Sequence, residues 1–157
     1  MIVGYGSLEL LERLCEETSH LSFVHDGRNM LSVAAQRNPD PRVVALFLAH
    51  GQWPDTPDYQ NITPLMYAVL SERNETVRLL LSAGARVNYQ GIGGLTPLHM
   101  AVGNNGGTEI SRMLLEAGAD AGLRATDGMT VHDAIMRNPM LKDSTLVEEI
   151  YQKSPKN

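Results

Sequence analysis

The sequence predicts an all-α solenoid, in which helix–turn–helix units repeat at a nearly constant interval and stack side by side. Two related segments give the first evidence: Thr-Pro-Leu-Met-Tyr-Ala begins at Thr63, and Thr-Pro-Leu-His-Met-Ala begins at Thr96, 33 residues later. Glycines that close apolar runs recur in phase, each 12 residues before the next threonine of the pattern: Gly51, Gly84 and Gly118. A fixed period of this length is typical of stacked supersecondary units.

Four copies of the pattern align on one position, which is occupied in turn by Asn29, Thr63, Thr96 and Thr130. The copies start 34, 33 and 34 residues apart, whereas the distance from each glycine to the next threonine never changes. The extra residue therefore falls mid-repeat, in segments 38–41 and 104–107, which consist of turn residues. Each repeat is predicted to contain a helix, a turn, a second helix and a connector of fixed length.

The predicted helix boundaries follow from individual residues. Thr63 and Thr96 are suitable N-caps, and each precedes a proline, the residue favoured at the first helical position. The leucine-rich second helices end at the repeating glycines, which readily take the left-handed conformation that closes a helix. Asn61 stands where the other connectors have glycine, and asparagine tolerates a positive φ better than most residues.

Both ends of the chain are predicted to be capping helices, because a terminal repeat of a solenoid needs one apolar face toward its neighbour and one polar face toward solvent. Residues 7–16 and 144–153 place apolar side chains at helical spacing among charges. The predicted single domain (1–157) comprises an N-terminal capping helix and connector (1–26), three repeats (27–59, 60–92 and 93–126), and a fourth repeat with a C-terminal capping helix (127–157).

Residues 27–139 resemble the ankyrin repeat, which combines the T-P-L-H-x-A signature with a leucine-rich second helix and a Gly-Ala-Asp ending. The third repeat matches the family pattern at nearly every position, and the second repeat is also a strong match. The departures from the pattern are Asn29, Met30 and Ser32 in repeat one, and Val131, His132 and Asp133 in repeat four. The resemblance implies that Thr–His hydrogen bonding is weaker in these two repeats.

Composition restricts the functional classes. The net charge of −5 argues against non-specific nucleic-acid binding, which requires clusters of Lys and Arg. The longest apolar run is too short to cross a membrane, and residues 1–6 do not resemble a signal peptide. A single cysteine cannot form an internal disulfide, which fits a reducing compartment. We therefore expect a cytoplasmic or nuclear location.

Three weaker patterns have simpler interpretations. The sequons at Asn61 and Asn74 are attributed to chance, since Asn61 already has a turn role. Residues 91–94 are glycine-rich, but no Lys-Ser/Thr pair follows as a phosphate-binding loop requires. Cysteine and histidine recur every five residues at Cys15, His20 and His25. A zinc site needs four ligands at tighter spacing, so we expect neither metal nor cofactor.

The resemblance implies a non-catalytic protein-interaction module that binds a protein or peptide in a concave groove, as an adaptor, a scaffold or a domain of a larger protein. An alternative is an inhibitor that occludes a kinase or a transcription factor, since this small chain resembles ankyrin inhibitors of cyclin-dependent kinases or Rel-type factors. A less favoured alternative is an enzyme with a site in the groove. Its best candidate base, His99, is structural in the resembling family. We expect a monomer that neither binds nucleic acid directly nor inserts into a membrane.

The resemblance also implies where a partner binds, at the connector tips and the exposed side of the first helices. When the family's binding positions are carried over to the aligned repeats of this sequence, they fall on Gln36, Arg37, Tyr59, Gln60, Ile62, Leu70, Ser71, Ile92, Leu95, Gly103, Asn104, Thr126, Asp127, Met129, Arg137 and Asn138. Tyr59 and Ile92 are favoured because tip positions have few packing neighbours, whereas Leu70 and Leu95 could pack against adjacent tips. Trp53 has two interpretations, an anchor outside this surface or a plug over the first junction between repeats.

Overall fold

The computed structural model describes residues 8–9, 12–13, 24–25, 28–104, 108–141 and 145–153. It confirms the predicted all-α class, since short helices account for most of the described structure and the strands are only two residues long. The chain forms two compact units, Met1–Ala85 and Arg86–Asn157. No helix in the described ranges combines the length and the apolar content that crossing a membrane requires.

The first unit contains two antiparallel strands, β1 (Val24–His25) and β2 (Arg28–Asn29). Four helices follow: α1 (Met30–Arg37), α2 (Pro41–Ala49), α3 (Pro64–Leu70) and α4 (Asn74–Ser82). Helix α1 packs on α3 and α2 packs on α4, while each first helix also contacts its own second helix. This is the side-by-side arrangement that the sequence period predicts. The core contains fully buried Leu31, Phe47, Leu65 and Leu80.

The second unit contains a short 3-10 turn (Ile92–Gly94) and four further helices: α5 (Pro97–Gly103), α6 (Thr108–Glu116), α7 (Val131–Arg137) and α8 (Thr145–Lys153). Helix α5 packs on α6 and α7, and α8 packs on α6 and α7. Leu98, Leu114, Ile135 and Leu146 are buried at the centre. The arrangement of paired helices is therefore the same as in the first unit.

The predicted N-caps are confirmed. The Thr63 and Thr96 hydroxyls each accept a hydrogen bond from the backbone N–H three residues later, at 3.3 Å. Asn29 plays this role in repeat one, accepting the Ser32 N–H at 2.7 Å. In repeat four Asp133 stands where repeat three has histidine, and its carboxylate accepts the Thr130 N–H (2.9 Å) and O–H (2.7 Å). The cap is thus kept although the Thr–His pair is absent.

The predicted helix ends are also confirmed, because Gly51, Gly84 and Gly118 have φ of 80°, 85° and 91°. Each closes its helix with a pair of backbone bonds of the Schellman type, for example Gly84 N–H to Leu81 O and Ala85 N–H to Leu80 O. Asn61 has φ of 62°, as expected.

The end of α3 has the same geometry but no glycine. Glu72 adopts a left-handed φ of 54°. Its N–H donates to Val69 O, and the Arg73 N–H donates to Ala68 O. Sequence reasoning did not identify this helix end, because glutamate has no preference for such a position.

The predicted N-terminal capping helix lies mostly outside the described residues. Leu8–Glu9 and Glu12–Arg13 are helical. Its expected apolar face consists of Leu8, Leu11 and Cys15, with Leu10 and Leu14 as close neighbours, and of these five residues only Leu8 is described. At the other end, α8 falls within the span predicted from the sequence and buries Leu146 and Ile150. The repeat boundaries and the count of four remain predictions.

Candidate partner-binding surfaces

The connector tip of the first unit, residues 58–62, is held rigidly by one carboxylate. Asp58 Oδ1 accepts the N–H groups of Gln60 and Ile62, both at 2.9 Å. Backbone bonds close the same turn, with the Asp58 N–H donating to Ile62 O and the Asn61 N–H donating to Asp58 O. Asp58 is itself buried. The backbone of this tip is therefore fixed before any partner arrives.

A second bond ties this tip to α3. The Tyr67 hydroxyl donates to Asp58 Oδ2, the oxygen that does not serve the turn. Burial, followed by this hydrogen bond, raises the pKa of Tyr67 to about 12, so the phenol stays protonated and remains a donor. Tyr67 thus connects the tip to the helix pair behind it.

The tip presents one large aromatic side chain to solvent. Tyr59 is 73% exposed and Gln60 is also exposed. Ile62, which was predicted to belong to the binding surface, is only 8% exposed. We therefore assign Ile62 to the core of the first unit and leave it out of the surface.

The ends of the first helices carry the other predicted residues of this unit. Gln36, Arg37 and Ser71 are half-buried, and Leu70 is exposed. Sequence reasoning missed Arg28, whose Nη1 donates to Gln36 Oε1 and whose guanidinium lies over the Tyr67 ring at 5.6 Å. No local signal indicates this role, because both contacts join residues distant in the sequence. We call Arg28, Gln36, Arg37, Tyr59, Gln60, Leu70 and Ser71 the first-unit surface.

In the second unit, two connector tips are hydrogen-bonded to each other. Gly93 O accepts both the N–H and the Oγ1–H of Thr126, each at 2.9 Å. A Cβ on Gly94 would lie 2.9 Å from the Thr126 nitrogen, so only glycine fits this close approach. The Gln90 side chain adds bonds to Gly94 O and Arg124 O. Thr126 therefore has a structural role in addition to its exposure.

The remaining predicted residues of the second unit differ in exposure. Ile92, Gly103, Asp127 and Arg137 are exposed, whereas Leu95, Asn104 and Met129 are half-buried. Asp127 Oδ1 accepts the Met129 N–H, and Arg137 Nη1 lies 3.3 Å from Met129 Sδ. Asn138 is buried and donates to Val102 O at 2.8 Å, so it fixes the end of α5. We call the seven residues Ile92, Leu95, Asn104, Thr126, Asp127, Met129 and Arg137 the second-unit surface.

His99, the candidate base, is part of the scaffold. Its Nδ1 accepts the Thr96 N–H at 3.3 Å and lies 2.8 Å from the Thr96 hydroxyl. The neutral ring therefore carries its proton on Nε2, which donates to Met129 O at 3.3 Å. Burial lowers the pKa of His99. With 3% exposure and both nitrogens engaged, this side chain positions α5 against the connector that precedes α7.

Two other sequence hypotheses are addressed by the structure. Trp53 is 77% exposed, which favours an anchor outside the surface over a plug between repeats. Among the described side chains, no three His, Cys, Asp or Glu converge as a metal site would require. Cys15 and His20, from the hypothetical metal set, lie outside the described residues.

Paired helices joined by connectors of constant length define an α-helical repeat protein. A family model described as ankyrin repeats (3 copies) matches residues 1–91 and again residues 31–125. The chain therefore belongs to the ankyrin repeat family, as its motifs indicated. Ankyrin repeats are protein–protein interaction modules, and the family is generally non-catalytic.

Individual relatives share part of the chain. The E3 ubiquitin-protein ligase KEG of Arabidopsis thaliana is 33% identical over 87 residues, which cover 55% of this chain and 5% of that protein. Inversin of Danio rerio is 33% identical over 87 residues, covering 55% and 8%. Protein phosphatase 1 regulatory subunit 27 of Mus musculus is 37% identical over 89 residues, covering 57% and 56%. The matched segments thus span a small part of the first two relatives and about half of the third.

Proposed function

We propose that this chain is a non-catalytic module that binds a protein or peptide, as an adaptor or scaffold or as a domain of a larger protein. Binding would use the first-unit surface, the second-unit surface, or both. The observation that carries the proposal is the exposure of Tyr59 on a tip that Asp58 and Tyr67 hold in place.

The physical reason is preorganisation. Binding costs free energy when it must order loops and side chains, and a tip already fixed by hydrogen bonds avoids much of that cost. An aromatic side chain has few rotatable bonds and offers a large contact area, and a few such residues usually dominate an interface. Tyr59 in the first unit meets these conditions, and Ile92 in the second is an aliphatic side chain that is also exposed at a connector tip.

The test uses single substitutions that each introduce a negative charge. We expect Tyr59→Glu or Ile92→Glu to weaken partner capture at least about tenfold, because a buried charge in the interface would be unpaired. Met140→Glu is the matched control, since Met140 is 71% exposed and lies outside both surfaces. Proteins captured from the native lysate are quantified by mass spectrometry, with circular dichroism as the check on folding. Equal capture by all three variants would place the binding face elsewhere.

The similarity to a phosphatase regulatory subunit favours a second candidate, a module that regulates or inhibits an enzyme by covering part of its surface. The sequence-based alternative, occlusion of a kinase or a transcription factor, belongs to the same class. Adding the purified chain to a captured enzyme and measuring its turnover distinguishes the candidates. A loss of turnover that Tyr59→Glu abolishes supports regulation, whereas unchanged turnover supports scaffolding.

A cytoplasmic or nuclear location, a monomeric state and the absence of direct nucleic-acid binding remain parts of this proposal. The single cysteine supports the proposed location, and the net charge of −5 supports the absence of direct nucleic-acid binding. Light scattering of the purified chain and fluorescence microscopy of the tagged full-length protein check them.

A further inference from the structure

Two positions that are buried in the earlier first helices are exposed in α7. The second and sixth residues after the cap are fully buried in α1 and α5: Leu31, Ala35, Leu98 and Val102. In α7 the same positions hold His132, which is half-exposed, and Met136, which is 41% exposed. These two residues are one turn apart, so they lie on the same face of α7.

Packing between consecutive first helices accounts for the difference. Helix α1 packs on α3, and α5 packs on α7. Helix α7 is itself well packed on its inner side, where Val131, Ala134 and Ile135 are buried. In the part of the chain that the structure describes, α8 is the last helix and no further first helix lies on α7. His132 and Met136 therefore mark the side of α7 that the next helix of a stack would cover.

Helix α8 differs from α6 in the same way. Both helices bury a pair of core residues one turn apart, Ile110 and Leu114 in α6 and Leu146 and Ile150 in α8. The residues that follow this pair in α6, Ser111 and Leu115, are also buried. The corresponding residues of α8 are Val147, which is half-exposed, and Tyr151, which is 53% exposed. The second helix is thus uncovered on one side as well.

The uncovered sides of the two helices meet in one surface. The ring centroids of Tyr151 and His132 are 4.8 Å apart, and the Tyr151 hydroxyl lies 2.8 Å from His132 Nε2. Met136 is one turn from His132, and Val147 is one turn from Tyr151. We call these four residues the α7–α8 face. It shares no residue with the first-unit surface or the second-unit surface.

We propose that the α7–α8 face binds a helical hairpin of a partner protein, whose two helices lie on α7 and α8 as those helices lie on α5 and α6. This inference goes beyond the proposed function, because it places a second binding surface away from the connector tips. Apolar side chains at helical spacing on the hairpin cover Met136 and Tyr151, and the flexible methionine adapts to their shape.

The expected ligand is helical because helices cover the equivalent positions in α1 and α5. Side chains one turn apart form ridges that fit the grooves of another helix. An extended segment fits less well, because its successive side chains point to opposite sides.

The experiment selects two-helix hairpins on the full chain, from a displayed library in which one face of the hairpin is randomised. Affinities of a selected hairpin are then measured by fluorescence anisotropy. Met136→Glu and Tyr151→Glu are each expected to weaken binding at least about tenfold, because a charge would be buried without a partner. Leu70→Glu is the matched control, since Leu70 is exposed to a similar extent at the end of another first helix.

Tyr151→Phe guards against a folding defect, together with circular dichroism of every variant. It keeps the ring and removes only the hydroxyl, so hairpin affinity should be nearly unchanged. A library that yields no hairpin dependent on Met136 and Tyr151 overturns the inference, and so does equal weakening by Leu70→Glu.

Photo-cross-linking then tests the natural ligand. A photoreactive phenylalanine analogue replaces Met136 in the full chain, which is added to the native lysate, and cross-linked peptides are identified by mass spectrometry. We expect a segment of another protein with apolar residues at helical spacing, and we expect the selected hairpin to compete with it. Cross-links only between copies of this chain, only to segments without that spacing, or to no protein at all would refute the helical partner.

The outcomes also separate this inference from the proposed function. Hairpin binding that is lost in Tyr59→Glu but kept in Met136→Glu would refute the α7–α8 face and leave the connector tips standing as a binding surface. Hairpin binding that depends on Met136, combined with partner capture that neither Tyr59→Glu nor Ile92→Glu weakens, would support this inference and refute binding at the tips.

Discussion

Replacing Glu72 by glycine should stabilise the first unit, because Glu72 closes α3 in a left-handed conformation that its Cβ disfavours. A residue with a side chain pays about 1–2 kcal/mol there, while glycine loses about 0.5–1 kcal/mol through its greater freedom in the unfolded chain. The net expectation is about 0.5–1 kcal/mol of added stability. Glu72 is exposed and none of its side-chain atoms is engaged by the described residues, so nothing else is lost.

The assay is urea unfolding, followed by circular dichroism. Glu72→Ala is the control, because it removes the carboxylate but keeps the Cβ, and it should leave stability nearly unchanged. Gly84→Ala is the reciprocal test. Gly84 has φ of 85° and open space around its Cβ, so alanine should cost about 1 kcal/mol through the backbone alone. If Glu72→Gly is no more stable than Glu72→Ala, the strain attributed to this helix end does not exist.

Two further predictions concern the scaffold. Burial lowers the pKa of His99 below its usual 6.5, so the unfolded chain binds the proton more readily. The stability that His99 contributes is full above about pH 6.5 and is lost as the pH falls from there toward the folded-state pKa. The free energy of unfolding of His99→Gln should therefore depend less steeply on pH across this range than that of the wild type. Equal slopes for the two proteins would contradict the assignment. Tyr67→Phe removes the donor to Asp58 and should cost about 1–2 kcal/mol. Hydrogen exchange at the Gln60 and Ile62 amides should accelerate in this variant, and unchanged exchange would show that Tyr67 does not hold the tip.

The features that sequence analysis predicted correctly are local. Thr63 and Thr96 cap helices through bonds to residues three positions away, and Gly84 ends one through bonds within its own last turn. Such roles depend on residue type and spacing, so a repeating pattern is sufficient to assign them.

The features that it missed depend on specific side-chain contacts, several of them between residues far apart in the sequence. Ile62 was placed on the surface by register, yet the turn that Asp58 organises directs it into the core. Arg28 joins the surface through Gln36 and Tyr67, and Thr126 bonds to Gly93, 33 positions earlier. The contacts of Arg28 do not have the spacing of the repeat, and the Thr126–Gly93 pair does have it, but the period alone does not show which atoms of neighbouring tips are hydrogen-bonded.

The central claim is that the connector tips and the ends of the first helices bind a partner. Hydrogen–deuterium exchange of the full chain, alone and with its captured partner, tests it most directly. We predict slower exchange in segments 58–62 and 36–37 of the first unit or 91–95 of the second, with α2 and α4 unchanged. Protection confined to α2, α4 and α6, with none at the tips, would contradict the account.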